Sequence, residues 1–145
     1  MKEAKTWIAK QDNLAQVASE IVPELLKSSP FVLWLKGDLG AGKTTFTKSV
    51  LRALGLPDNV PVLSPTYTWL TEYQIPSGFV AHMDLYRLSD HDHDSVAMLL
   101  SGRSYRGLII EWPERAETFD LIAPSGIVEI SATPVEDERK LSFFL

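Results

Sequence analysis

Phe31-Val32-Leu33-Trp34-Leu35 is apolar at every position and runs straight into Gly37-Asp38-Leu39-Gly40-Ala41-Gly42-Lys43-Thr44. A strand with one wet face alternates polar and apolar residues, so this unbroken run predicts a central strand covered on both sides. The segment after it fits the pattern Gly, four residues, Gly-Lys-Thr, and stands where such a loop works, between a buried strand and a helix. That helix starts at Lys43, carries Phe46, Val50, Leu51 and Leu54 on one side, and stops at Gly55 before Pro57. Glycines let successive backbone N–H groups turn inward around a β-phosphate, and the helix N-terminus adds its positive end. Lys43 can reach the β- and γ-phosphates, and Thr44 offers a hydroxyl to Mg2+. The full pattern in this context favours phosphate binding over a plain glycine turn. Gly37, Asp38, Leu39, Gly40, Ala41, Gly42, Lys43, Thr44 and the adjoining Thr45 are the candidate nucleotide-binding residues, with ATP or GTP as the ligand class.

Mg2+ bound with a nucleotide needs a second protein contact, normally an acid at the end of a neighbouring apolar strand. Two candidates stand in that position: Asp84 after Phe79-Val80-Ala81-His82-Met83, and Glu111 after Leu108-Ile109-Ile110. The uniformly branched triplet before Glu111 suits a central strand beside the loop, whereas His82 makes the other segment look half exposed. Glu111 is therefore the expected metal ligand, and Asp84 is left to position water.

The rest of the chain reads as one unit. Its 145 residues suit a single domain over 1–145, and 45% hydrophobic residues can fill a core. No cysteine is present, which excludes disulfides, zinc ribbons and thiol catalysis. No apolar run is long enough to span a bilayer, so no membrane contact is expected. A net charge of −5 repels phosphate backbones, so contact with tRNA or DNA must be local or supplied by a partner. A short strand is expected at Thr6 to Ile8. Asp12 is expected to cap a helix with Leu14, Val17, Ala18, Ile21 and Leu25 on one face, and Pro23 allows a kink or early stop. Tyr67 to Tyr73 alternates, with Tyr67, Trp69 and Tyr73 on one face, and turns through Pro76-Ser77-Gly78 into Phe79 to Leu85 as a hairpin. A short helix through Leu100, a buried strand from Gly107 to Glu111, and strands at Gly126 to Ala132 and Lys140 to Leu145 complete a mixed-sheet α/β fold.

With the phosphate loop and Thr45, the segments Ser64-Pro65-Thr66-Tyr67, His82-Met83-Asp84-Leu85-Tyr86-Arg87-Leu88 and Glu111-Trp112-Pro113-Glu114-Arg115 resemble the TsaE family, in the same order from about residue 6 to about residue 130, which is most of the chain. The resemblance implies a phosphate-loop NTPase with a mixed, partly antiparallel sheet flanked by helices, working in the cytoplasm. It implies Mg-dependent ATP hydrolysis on the TsaB–TsaD pair, which moves a threonylcarbamoyl group onto an adenosine beside a tRNA anticodon. TsaE itself would not perform that transfer and would meet tRNA only indirectly. Carried over by residue, Lys43, Asp84, Glu111 and Thr66 are the candidate catalytic residues. Lys43 holds phosphates, Thr44 and Glu111 hold Mg2+, Thr66 lies in a switch-like loop, and Asp84 faces the γ-phosphate side. Trp112 and Arg115 would line the same edge.

Between Asp90 and Ser101 the sequence departs from the family, with His91-Asp92-His93-Asp94 where a glutamate-rich stretch is expected. Adjacent side chains do not share a face, so these residues suit a solvated helix start better than a metal site. Two other functions fit the loop. A small-molecule kinase would need an acceptor pocket and an arginine-bearing lid, and a nucleotide-gated assembly factor would use hydrolysis only to reset binding. The Asn-Lys-x-Asp guanine reader of GTPases is absent.

Overall fold

A computed structural model describes residues 1–65, 68–116 and 122–145. Seven strands form one sheet: β1 (Glu3–Lys10), β2 (Phe31–Lys36), β3 (Leu70–Ile75), β4 (Gly78–Asp84), β5 (Gly107–Glu111), β6 (Gly126–Ala132) and β7 (Glu138–Phe144). Their order across the sheet is β1-β7-β6-β2-β5-β4-β3. The four inner strands β6, β2, β5 and β4 are parallel, and antiparallel strands close both edges. Phe31 through Leu35 is buried throughout, and so is all of β5 between its two parallel neighbours, as the unbroken apolar runs require.

The two-residue period of the strands divides the core between two layers. Leu33, Leu35, Ile109 and Val128 face α1 (Leu14–Leu25) and α2 (Lys43–Ala53). Val32, Trp34, Met83, Leu108 and Ile110 face the other way and pack with Val96 of α3 (His93–Ser101). No helix among the described residues is long and apolar enough to cross a membrane.

Several local expectations need correction. The first strand runs from Glu3 to Lys10, because pairing with β7 extends well beyond Thr6 to Ile8. Asp12 does not cap α1; it sits inside a one-turn 3-10 helix, Gln11–Asn13, which leads into Leu14 by a backbone bond to Gln11. Pro23 lies in the last turn of α1 without stopping it before Leu25, since only one late N–H is lost there. The first strand of the hairpin begins at Leu70, because Trp69 adopts φ 61° and leaves the extended path. Trp69 consequently packs with the α3-side core while Tyr73 joins the opposite one, so the two do not share an aromatic face. Tyr67 lies outside the described residues. His82 is fully buried, not half exposed, because β4 is an inner strand covered by β3 and β5. In the segment before α3, Asp92 accepts hydrogen bonds from Ser89 N and Oγ, at 2.9 and 2.8 Å, and these donors hold its carboxyl below its ordinary pKa. This is a helix start, and no group of three or more His, Asp or Glu residues converges among the described residues.

Candidate functional site

Parallel strands bring their C-terminal ends to one edge, and here that edge carries Leu35, Glu111 and Asp84 in a row, each in register with the next. The chain leaves β2 there through the glycine loop and enters α2 at Lys43. Gly40 and Gly42 hold φ of 77° and 104°, the left-handed region that side chains resist, and nothing lies within 4 Å of a Cβ placed on either. Backbone conformation therefore dictates these glycines, whereas close approach dictates Gly37, where a Cβ would sit 2.6 Å from the Ile130 carbonyl oxygen. No side chain caps the N-terminus of α2, so its first N–H groups face the loop without side-chain acceptors.

Lys43 is buried. Its ammonium donates to the carbonyls of Gly37 at 2.5 Å and Asp38 at 3.0 Å, and lies 4.3 Å from the centre of the Trp112 ring. Burial pushes its pKa below the ordinary lysine value, against the opposing pull of the Glu111, Asp84, Glu114 and Asp38 carboxylates. Thr44 follows on the first turn of α2, and its hydroxyl is 3.1 Å from both carboxylate oxygens of Glu111. Glu111 Oε2 is also 2.5 Å from His82 Nε2. Asp84 has different partners: Ser64 Oγ donates to one oxygen and Tyr86 N to the other, each at 3.0 Å. Trp112, held at φ 58°, turns its ring toward Lys43 and stands 4.9 Å from the Tyr86 ring.

These groups surround a cavity of about 490 Å³ that Leu39, Thr45 and Arg87 also line. Arg115 stands behind Tyr86, with its guanidinium 5.6 Å from that ring, and Thr66 lies outside the described residues. A second cavity of about 370 Å³ opens on the other side of the loop, sharing Gly42 and Thr45 with the first and reaching Gln11, Asp12, Asp137 and Arg139. Arg139 Nε donates to the Ala41 carbonyl at 3.2 Å and so ties β7 to the loop. Sequence reasoning passed over His82, Ser64 and Arg139 as site residues. For His82 a signal existed: it stands two residues before Asp84, and side chains two apart on a strand share a face.

The residues fit a Mg-nucleotide. A hydroxyl beside a carboxylate is a hard oxygen pair of the kind Mg2+ takes from protein, the remaining ligands coming from phosphates and water. The open left-handed loop, the uncapped helix and the buried ammonium supply what a phosphate chain requires.

The family model for threonylcarbamoyl adenosine biosynthesis protein TsaE matches residues 8–141. The chain belongs to the TsaE family. It is similar to a tRNA threonylcarbamoyladenosine biosynthesis protein TsaE of Aquifex aeolicus, with 36% identity over 97% of this chain and 100% of that one. The TsaE of Haemophilus influenzae is 34% identical over 85% of this chain and 75% of its own length. Among solved structures, Bacillus subtilis YdiB superposes with a TM-score of 0.63 at 27% identity, covering 99% of this chain and 86% of that one. The α/β fold is thus shared with a solved structure, and the TsaE family is one of tRNA threonylcarbamoyladenosine biosynthesis.

Proposed function

We propose that this TsaE chain binds Mg-ATP in the larger cavity and hydrolyses it as the ATPase component of tRNA threonylcarbamoyladenosine formation, acting on a TsaB–TsaD pair in the cytoplasm. The observation that carries this reading is the Thr44 hydroxyl held 3.1 Å from both oxygens of Glu111, at the start of the helix that the glycine loop feeds. Thr44 and Glu111 would hold Mg2+, which when bound neutralises charge on the β- and γ-phosphates. Lys43 leaves its two carbonyl partners for the phosphates, and the loop N–H groups supply the remaining donors. Asp84, which accepts hydrogen bonds from Ser64 and Tyr86, would orient an attacking water. The second cavity, which shares Gly42 and Thr45 with the first, would take the nucleoside.

Two measurements test the proposal. Phosphate release from ATP by the full chain should require Mg2+ and vanish in Lys43→Ala. Adding the TsaB–TsaD pair should change that rate and support threonylcarbamoyl transfer to tRNA. Hydrolysis that survives in Lys43→Ala would remove the loop as the site.

A further inference from the structure

His82 has no exposed surface, and its Nδ1 has no hydrogen-bond partner among the described residues. An imidazole buried with one nitrogen unsatisfied costs free energy, and its register partner on β5 is the apolar Ile109. Among the described residues, its side-chain hydrogen bond runs between Nε2 and Glu111 Oε2, at 2.5 Å. A carboxylate oxygen accepts, so the ring donates this bond from Nε2–H, and Nδ1 is the nitrogen left without a partner among the described residues.

We propose that His82 is a positioning residue, donating from Nε2 to Oε2 and fixing the Glu111 carboxylate so that its remaining lone pairs stay in reach of the Thr44 hydroxyl, where Mg2+ is to be held. The inference rests on the Mg-nucleotide reading of that site. Strand geometry explains why β4 supplies the residue. His82 and Asp84 share one face, Asp84 is in register with Glu111, and the position two residues back lies diagonally beside the Glu111 side chain. Without this donor the carboxylate keeps only the Thr44 hydroxyl, a partner that must itself turn to the metal.

The test uses the full chain with ADP and Mn2+, an oxygen-liganded stand-in for Mg2+ whose free and bound forms are separated by electron paramagnetic resonance. His82→Leu should weaken Mn2+ binding by about tenfold, the scale on which an outer partner of a metal ligand acts. Its affinity for ADP without metal should equal the parent's. His82→Gln, whose amide reaches the level of Nε2, should recover most of the loss, and the shorter His82→Asn should not. Should His82→Leu fail to fold, the contrast between Gln and Asn decides alone. Parent-like Mn2+ affinity in a folded His82→Leu, or equal behaviour of Gln and Asn, overturns the role of His82. A parent chain that takes up no Mn2+ with ADP overturns the nucleotide reading and this inference together.

Discussion

Asp84 and Glu111 stand opposite one another in the register of two adjacent parallel strands, yet their side chains bond to different partners. Glu111 faces the Thr44 hydroxyl and His82; Asp84 faces Ser64 and the Tyr86 backbone. One carboxylate is tied to the helix that starts at the loop, and the other to Ser64 in the segment that leads from α2 to the hairpin. Their losses should therefore differ.

Glu111→Gln keeps size and removes charge beside the metal position, so the Mg2+ concentration for half-maximal hydrolysis should rise by about tenfold or more, with a lower maximal rate. Asp84→Asn should leave that concentration in place and lower kcat by about a hundredfold at unchanged KM, the pattern of an interaction made mainly in the transition state. Metal titration of steady-state hydrolysis in both variants checks this. A shift in Asp84→Asn alone would exchange the two roles.

Lys43→Met should cut hydrolysis by at least about a hundredfold without lowering the melting temperature of the ligand-free chain. Burial outweighs the four carboxylates, so folding disfavours the charged ammonium and lowers its pKa. The sign follows from linkage: the unfolded chain holds this proton more tightly, so the penalty is complete below the folded value. It fades as pH rises toward the ordinary lysine value of 10.5. Melting curves of parent and variant should accordingly converge between neutral pH and that value. Divergence with rising pH would reverse the sign.

The Lys43 ammonium cannot hold the Gly37 and Asp38 carbonyls and a phosphate chain with the same geometry, so its place 4.3 Å from the Trp112 ring should change on nucleotide binding. Intrinsic fluorescence should report that change. Of the four tryptophans, Trp34 is buried with its indole N–H on the Ile122 carbonyl, and Trp7 is tied to Glu20. The emission change on adding Mg-ADP should vanish in Trp112→Phe and persist in Trp7→Phe.

What could be read from the chain beforehand follows the reach of each signal. Strands β5 and β6 have the expected bounds because each apolar segment opens at a glycine, Gly107 and Gly126, and the loop between β2 and α2 is written in consecutive residues. That an acid at the end of β5 would face Thr44 needed only the rule that parallel strands align their ends. The turn at Trp69 was hidden because a bulky residue at positive φ leaves no local mark. The partner of His82 is Glu111, 29 residues further on, and Arg139 reaches Ala41 across 98 residues. Such contacts follow from strand order, which periodicity does not give.

Phe31 and Gly107 are register partners at the start of β2 and β5, and a Cβ on Gly107 would lie 2.1 Å from the fully buried Phe31 ring. The glycine is required by that ring, not by backbone conformation, so Gly107→Ala must displace Phe31 or spread the strands. Overpacking of this kind costs about 1–3 kcal/mol, and each kcal/mol lowers the melting temperature of a chain this size by about 2–4 °C. Shrinking the ring should relieve the clash, so Phe31→Leu with Gly107→Ala should be less destabilised than the sum of the single changes, a coupling that neighbours in contact show. Strictly additive losses would mean that the strain lies elsewhere. Because Phe31 and Gly107 open these strands while Leu35 and Glu111 close them, the metal midpoint of a folded Gly107→Ala should match the parent's. A raised midpoint would show that the spacing of β2 and β5 is transmitted along their whole length to Thr44 and Glu111.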